Sequence, residues 1–244
     1  MIDPVAFEIF GLSIHWYGIY YAVAFIGLYL FVSYFSKEFG VKKDLIQDFF
    51  PYFIIASVVG GRIFYVLFYN LQYYLSNPIS IFAVWEGGMS IHGGFAGGFL
   101  ALWYFARKNH LNVLKATDLF SVPVALGLAF GRILNFINQE LVGKITTSSI
   151  GVIFPIYDDQ KRWPVVLFDG FKSLILFQIL LFYQFFLKFK TGMLTALFLI
   201  IYNFGRFFID FLREPTVDLG LISMGQLLCL IFGFIGVWLY MKIK

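Results

Sequence analysis

Long apolar blocks alternate along this chain with short polar or glycine- and proline-bearing stretches. A helix needs about 20 apolar residues to cross roughly 30 Å of hydrocarbon. On that criterion the pattern predicts spans at 15–36, 46–69, 89–106, 117–138, 166–187, 192–212 and 223–241. The third is entered irregularly, through Gly87, Gly88, Gly93 and Gly94. One connection, 70–88, is polar at its start and carries Pro78 and Glu86; the other sizeable one, 139–165, carries Gly143, Gly151, Pro155 and Pro164. The latter is too short for an independent domain and is expected to cap the bundle. No fixed-period repeat interrupts the pattern. The expectation is an all-α membrane protein, a bundle of seven transmembrane helices with a small outer-side cap, forming one integral membrane domain over 1–244.

Basic residues decide the orientation. Lys37, Lys42, Lys43, Arg107, Lys108, Lys115, Lys188, Lys190, Lys242 and Lys244 fall on one side of the predicted spans, and only Lys144, Lys161, Arg162 and Arg213 on the other. This predicts the N-terminus out and the C-terminus in. Trp16, Trp85 and Trp163 then mark the outer interface, with Trp103 and Trp238 toward the inner one. No basic n-region or small-residue cleavage site precedes the first span, so that span is expected to be retained.

Composition narrows the class. Charged residues make up 13% of the chain, against about 25% in a soluble domain, which excludes a soluble fold. Basic tracts suited to nucleic acid are absent, so no nucleic-acid partner is expected. Cys229 is the only cysteine, which excludes an internal disulfide and a cysteine-based metal site.

One stretch resists the apolar pattern. GRILNFINQELVG (131–143) closes the fourth block with Arg132, Asn135, Asn138, Gln139 and Glu140. On a helix Arg132, Asn135 and Gln139 fall at i, i+3 and i+7, one face. An arginine inside a span costs from about 2.5 kcal/mol upward and marks a functional-site hypothesis. A helix end reaching water accounts for Gln139 and Glu140 more readily than for Arg132. Arg62, Arg132 and Arg206 each follow a glycine and lie about 10 Å below the outer ends of their spans, at 1.5 Å per residue. His92 and Tyr17 lie nearer that surface, so five helices deliver polar groups to one outer third of the membrane.

In the sixth span Tyr202, Arg206, Asp210 and Arg213 share an arc at i, i+4, i+8 and i+11. Arg206 and Asp210 can pair at i,i+4, and a purely structural ion pair is one reading. The other is that three guanidinium groups outnumber the single nearby acid, Asp210, and that the surplus calls for an anion; a phosphate suits the arginine fork. In the second span Arg62, Tyr65 and Tyr69 align at i, i+3 and i+7. The phenols suit either phosphate and glycerol oxygens or the membrane interface. Gly60 and Gly61 let another helix or a lipid chain approach the backbone, and the glycines at 93/97 and 94/98 suit close helix packing. Of the three histidines, His15 suits the interface and His110 a solvated inner loop. His92 alone lies at arginine depth, where an imidazole can exchange a proton near neutral pH. Asp158 and Asp159 are adjacent and do not form the spaced carboxylate set of a Mg²⁺ site, so no metal or other cofactor is expected.

Together HWYG (15–18), GGRIFYVLFYN (60–70), GGMSIHGG (87–94), GRILNFINQELVG (131–143) and YNFGRFFIDFLREP (202–215) resemble the bacterial prolipoprotein diacylglyceryl transferases. The resemblance implies a seven-span enzyme of the bacterial cell (inner) membrane with its active site toward the outer leaflet. The implied reaction moves a diacylglyceryl group from phosphatidylglycerol to the lipobox cysteine of signal-peptide-bearing preprolipoproteins. By matching motif, Arg132 and Arg206 would hold the phosphate, and Asn135 and Glu140 would shape that site. Tyr17 and Tyr202 would line the headgroup pocket, Gly143 would keep the following turn open, and His92 would be the candidate base. Asn138, Arg62, Tyr65, Asp210 and Arg213 complete the candidate substrate-binding set. The family commonly has an HPSQLYE-like stretch where residues 163–169 here read WPVVLFD, so Trp163 and Phe168 replace a histidine and a tyrosine, while Pro164 and Asp169 remain. Two alternatives share the anion site. Another phospholipid-headgroup transferase should add an acid cluster or its own nucleophile, and an anion transporter should continue polar residues to the inner side.

Overall fold

The computed structural model describes residues 5–9, 12–84, 87–214 and 220–244, and for Ile9, residues 12–15 and His92 it describes the backbone alone. Trp85 and Glu86 lie outside the described residues. Helices form over every predicted apolar block: α1 Trp16–Phe35, α2 Lys43–Tyr69, α4 Ile91–Lys108, α5 Val113–Ile137, α6 Val165–Phe186, α7 Met193–Ile209 and α8 Met224–Ile243. A short α3, Leu71–Ser76, and a 3-10 turn, Pro78–Phe82, occupy the connection that the sequence pattern left unstructured. Among the described residues, six helices are long and apolar enough to cross a membrane: α1, α2, α5, α6, α8, and α7 extended to Leu212. The helix at Ile91–Lys108 is not among them; four glycines and a terminal Arg107-Lys108 dilute its apolar character. The chain is therefore a helical, multi-pass membrane protein.

Two corrections concern helix ends. The fourth apolar block leaves the helix at Ile137, so Gln139 does not share a helical face with Arg132 and Asn135. The sixth leaves the α-helix at Ile209, and Asp210–Leu212 continue as a 3-10 turn, which takes Arg213 off the predicted arc. Four short strands were not expected. β1 Val5–Ile9 pairs antiparallel with β2 Leu12–His15, which leads directly into α1. In the 139–165 connection β3 Val152–Ile153 pairs with β4 Lys161–Arg162.

The described chain forms two compact units, Tyr29–Leu119 and Met1–Leu28 with Phe120–Lys244. In the first, α2 and α4 pack backbone against backbone. A Cβ on Gly60 would strike Gly93 and Gly97 of α4, and one on Gly93 or Gly97 would strike the α2 main chain. Small residues are what permit such an approach in lipid, where no hydrophobic force drives helices together. Gly94 has room for a Cβ at ordinary contact distance, so its part in the expected packing is smaller.

The second unit packs α6 against α7 and α7 against α8. Leu176, Leu180, Leu194 and Ala196 are fully buried there, whereas Phe171, Phe204 and Phe234 are about two-thirds exposed. Large apolar side chains on the outside and charged ones within is the arrangement a hydrocarbon solvent selects. The 139–165 connection is tied to helix ends. Lys144 N–H donates to the Leu212 carbonyl, Gly143 bridges Arg213, and Phe136 meets Phe154 edge-on at 5.7 Å.

Candidate functional site

Within the second unit, α1 and α6 begin, and α5 and α7 end, around one cluster of charge. Its centre is Asp169, one turn into α6 and 0% exposed. Arg132 Nε lies 2.6 Å from its Oδ2 and Arg206 Nη1 donates to the same oxygen at 2.8 Å. Lys172 Nζ reaches Oδ1 at 2.6 Å. Helices α5, α6 and α7 are thus joined through one carboxylate. Close approaches make this possible. A Cβ on Gly170 would stand 3.2 Å from Arg132 Cβ, and one on Gly205 would stand 2.6 Å from Lys172 Cδ.

Asp169 corrects the charge count taken from the sequence. Asp210 is not the single nearby acid, and Arg62 belongs to the other unit. Around Asp169 and Asp210 stand Arg132, Lys172, Arg206 and Arg213. Cations still outnumber acids, but the surplus has different members. The expected i,i+4 pair forms: Arg206 Nη2 donates to Asp210 Oδ1 at 3.1 Å, with Arg213 Nη1 at 3.8 Å from the same oxygen. Asp210 Oδ2 accepts from the Ser223 hydroxyl. Ser223 in turn caps α8 reciprocally with Gln226, so the acid that holds Arg206 is fixed by a helix start.

A second network adjoins the first. Arg132 Nη1 donates to Asn135 Oδ1 at 3.0 Å; Asn135 Nδ2 donates to Glu140 Oε2 at 3.0 Å and to the Tyr17 hydroxyl at 2.5 Å. The Tyr17 hydroxyl donates to Glu140 Oε2 at 2.5 Å. Glu140 is aimed back at Asn135 by its neighbours, since Gln139 and Leu141 both adopt left-handed backbone, φ 56° and 57°. Such non-glycine residues cost roughly 1–2 kcal/mol each, and strain of this kind gathers at functional sites. Gln139 Oε1 accepts from the Ile156 amide at 3.1 Å, so this side chain anchors the cap. Asn138 Oδ1 is buried with no hydrogen-bond partner among the described residues. Gly143 lets three chain segments converge: a Cβ there would strike the Trp163 carbonyl and stand 3.0 Å from that of Leu212. Tyr202 stacks on Phe198 and lies under the Lys172 ammonium, 3.7 Å from its ring centre.

Arg62, in the other unit, is used differently. Its Nε, Nη1 and Nη2 donate to the carbonyls of Ile81, Gly87, Gly88, Ser80 and Ala83. A guanidinium has five N–H groups, and here each has an acceptor, leaving none for a phosphate. Its carbon end lies 5.1 Å from the Tyr74 ring. Tyr65 stacks on Tyr69 at 5.5 Å and meets Tyr74 edge-on. Arg62 thus ties α2 to the main chain at 80–83 and 87–88. His92 is the second residue of α4; its side chain lies outside the described residues, as does that of His15.

The sequence reading gave no role to Lys172 and none beyond its place in the motif to Asp169. The signal was present: two charged residues at i and i+3 in an otherwise apolar helix deserve the same weight as an intramembrane arginine. Ser223, which holds Asp210, carried no such signal, because a serine before a helix reads as a cap alone.

The sequence profile described as prolipoprotein diacylglyceryl transferase matches residues 4–242. A phosphatidylglycerol–prolipoprotein diacylglyceryl transferase from Ehrlichia canis (strain Jake) is 42% identical, covering 97% of this chain and 94% of that one. Proteins of the same name from Rickettsia bellii (strain OSU 85-389) and Nitratidesulfovibrio vulgaris (strain DP4) are each 40% identical. They cover 99% and 98% of this chain, and 95% and 93% of their own lengths. The chain belongs to the prolipoprotein diacylglyceryl transferases, a family of transferases.

Proposed function

We propose that this protein transfers the diacylglyceryl group of phosphatidylglycerol to the lipobox cysteine of a preprolipoprotein, the first step of bacterial lipoprotein maturation. The observation that carries the reading is the meeting of Arg132 and Arg206, from two helices, on one buried carboxylate oxygen. Asp169 fixes the guanidiniums without using them up. Arg132 Nη2 and Arg206 Nε make no hydrogen bond among the described residues. Two fixed forks with N–H groups to spare suit a phosphate diester whose charge grows as it leaves.

The bonds balance without a co-reactant. The thiol gives up its proton to a base, and the sulfur forms a bond to the glycerol carbon. The C–O bond to phosphate breaks, and its electron pair departs with glycerol phosphate. A thiol, with pKa of about 8.5, needs that base near neutral pH; His92 is the proposed base, on the strength of its motif. Tyr17, Asn135 and Glu140 set the shape of the phosphate site, and the Asn138 carbonyl oxygen offers an acceptor for a glycerol hydroxyl. Tyr202, Asp210 and Arg213 complete the wall, and Gly143 keeps the cap close. Arg62, whose N–H groups are taken by the carbonyls of Ser80, Ile81, Ala83, Gly87 and Gly88, is not among the phosphate ligands.

In the proposed topology seven helices cross the bacterial cell (inner) membrane as one domain, with the N-terminus, the site and the cap outward. Trp103 beneath Arg107, and Trp238 beneath Lys242 at 4.3 Å, support an inner interface at those helix ends. The test is a transfer assay with purified protein, phosphatidylglycerol and a lipobox peptide. Thioether formation is expected, with Arg132→Ala and Arg206→Ala losing it by about 10²-fold or more. No transfer by the intact chain, or near-normal turnover in Arg132→Ala, overturns the reading. The same assay separates it from another headgroup transferase and from an anion transporter.

A further inference from the structure

We propose that Lys172 is a positioning residue that sets the charge offered to the lipid phosphate, and that Gly205 is the slot that admits it. The proposal rests on the reading of Arg132 and Arg206 as phosphate-binding.

A lysine two turns inside an apolar span usually snorkels its ammonium toward water. Lys172 does the reverse: its side chain is 11% exposed and its Nζ turns inward to Asp169. The route passes over the α-carbon of Gly205, where a Cβ would stand 2.6 Å from Lys172 Cδ and 2.8 Å from Cγ. The glycine before Arg206 therefore serves to admit the lysine stem. Nζ ends 2.6 Å from Asp169 Oδ1, 3.4 Å from the Tyr202 carbonyl and 3.7 Å from the centre of its ring.

The division of Asp169 between its cations is the telling feature. Both arginines lie on Oδ2, and Lys172 takes Oδ1. Lys172 is thus not required to join α6 to α7, because Arg206 already does so. What it does is occupy the oxygen that would otherwise turn an arginine fork into a bidentate clasp, away from a ligand. It also offsets the carboxylate's charge, so that the field of Arg132 and Arg206 reaches an incoming phosphate less diminished. The lysine stem, with Phe171 and Phe204, lines an apolar groove between α6 and α7. Lys172→Met therefore keeps the packing of the stem and removes the ammonium with its contacts to Asp169 and Tyr202.

The experiment measures initial transfer rates by the full-length protein in detergent micelles, against the surface fraction of phosphatidylglycerol. Inorganic phosphate serves as a competing anion. In Lys172→Met, KM for the lipid is expected to rise about tenfold or more, as removal of one nearby unit charge predicts. kcat should change only a few-fold, and inhibition by phosphate should weaken in parallel. Gly205→Leu leaves every charge in place but blocks the slot, and should give the same KM phenotype. The double variant should be no worse than either single one, since both act on one contact. Gly205→Leu decides the question by itself if Lys172→Met does not fold. An unchanged KM in a folded variant overturns the proposal, as does a loss confined to kcat and thermal stability. If Arg132→Ala is inactive while Lys172→Met keeps its KM, only the lysine proposal falls; normal turnover in Arg132→Ala removes both.

Discussion

Asp169→Asn is the sharpest perturbation of this protein. It keeps the side chain's shape and one acceptor, and removes the charge on which Arg132, Lys172 and Arg206 converge at 2.6, 2.6 and 2.8 Å. Losing one partner of a buried ion pair costs about 3–5 kcal/mol. The two guanidinium nitrogens share Oδ2 at 2.6 and 2.8 Å, so they stand no more than about 5.4 Å apart, where unit charges repel by roughly 3 kcal/mol at an effective dielectric near 20. The carboxylate is 0% exposed, so solvent offers it little screening. The expected loss is about 3–5 kcal/mol, a large share of a typical stability of about 5–15 kcal/mol. Denaturant unfolding of the purified protein in detergent measures it. Adding Lys172→Met removes one of the three stranded cations, so the double variant should lose less than the sum of the two single losses. Unfolding of Asp169→Asn within about 0.5 kcal/mol of the parent would refute the role given to this carboxylate.

Three further outcomes follow from the geometry. Arg62→Ala releases five carbonyls of the 78–88 loop, so limited proteolysis should cut there at least tenfold faster, as a lost charged hydrogen bond of about 1.5–3 kcal/mol implies; an unchanged digestion pattern contradicts it. Tyr17→Phe and Glu140→Gln should be coupled by about 1–2 kcal/mol in a double-mutant cycle of stability, because they share one short hydrogen bond, and simple additivity would deny the network. In the cap, the Arg162 hydrogen bonds hold the Asp158 carboxyl below its usual 3.8. The stabilisation it adds is complete above the ordinary carboxylate range and lost as pH falls through the lower folded value. The thermal stability of the protein and of Asp158→Asn should therefore differ at pH 7 and converge in strong acid; a constant gap across that range would rule the pair out.

The sequence by itself determined the class of this protein and most of its helices. Twenty-residue apolar runs admit few structures in lipid, where every backbone group must be satisfied within its own helix. It also singled out Arg132 and Arg206, because a guanidinium inside an apolar span is costly and calls for a partner. The four-residue spacing of Gly93 and Gly97 marked a packing face, but that Gly60 is what meets it came only from the packed structure. What only the tertiary structure decided was the allocation of partners. Arg62 and Arg132 share a Gly-Arg motif and a predicted depth, yet one is consumed by loop carbonyls and the other keeps N–H groups without an acceptor among the described residues. Asp169 became the hub because three helices converge on it, and Lys172 became its third partner because a missing Cβ on α7 opened the way. Periodicity fixes which residues share a face of one helix; which faces meet, and which charges are then shared, is settled only when the helices pack.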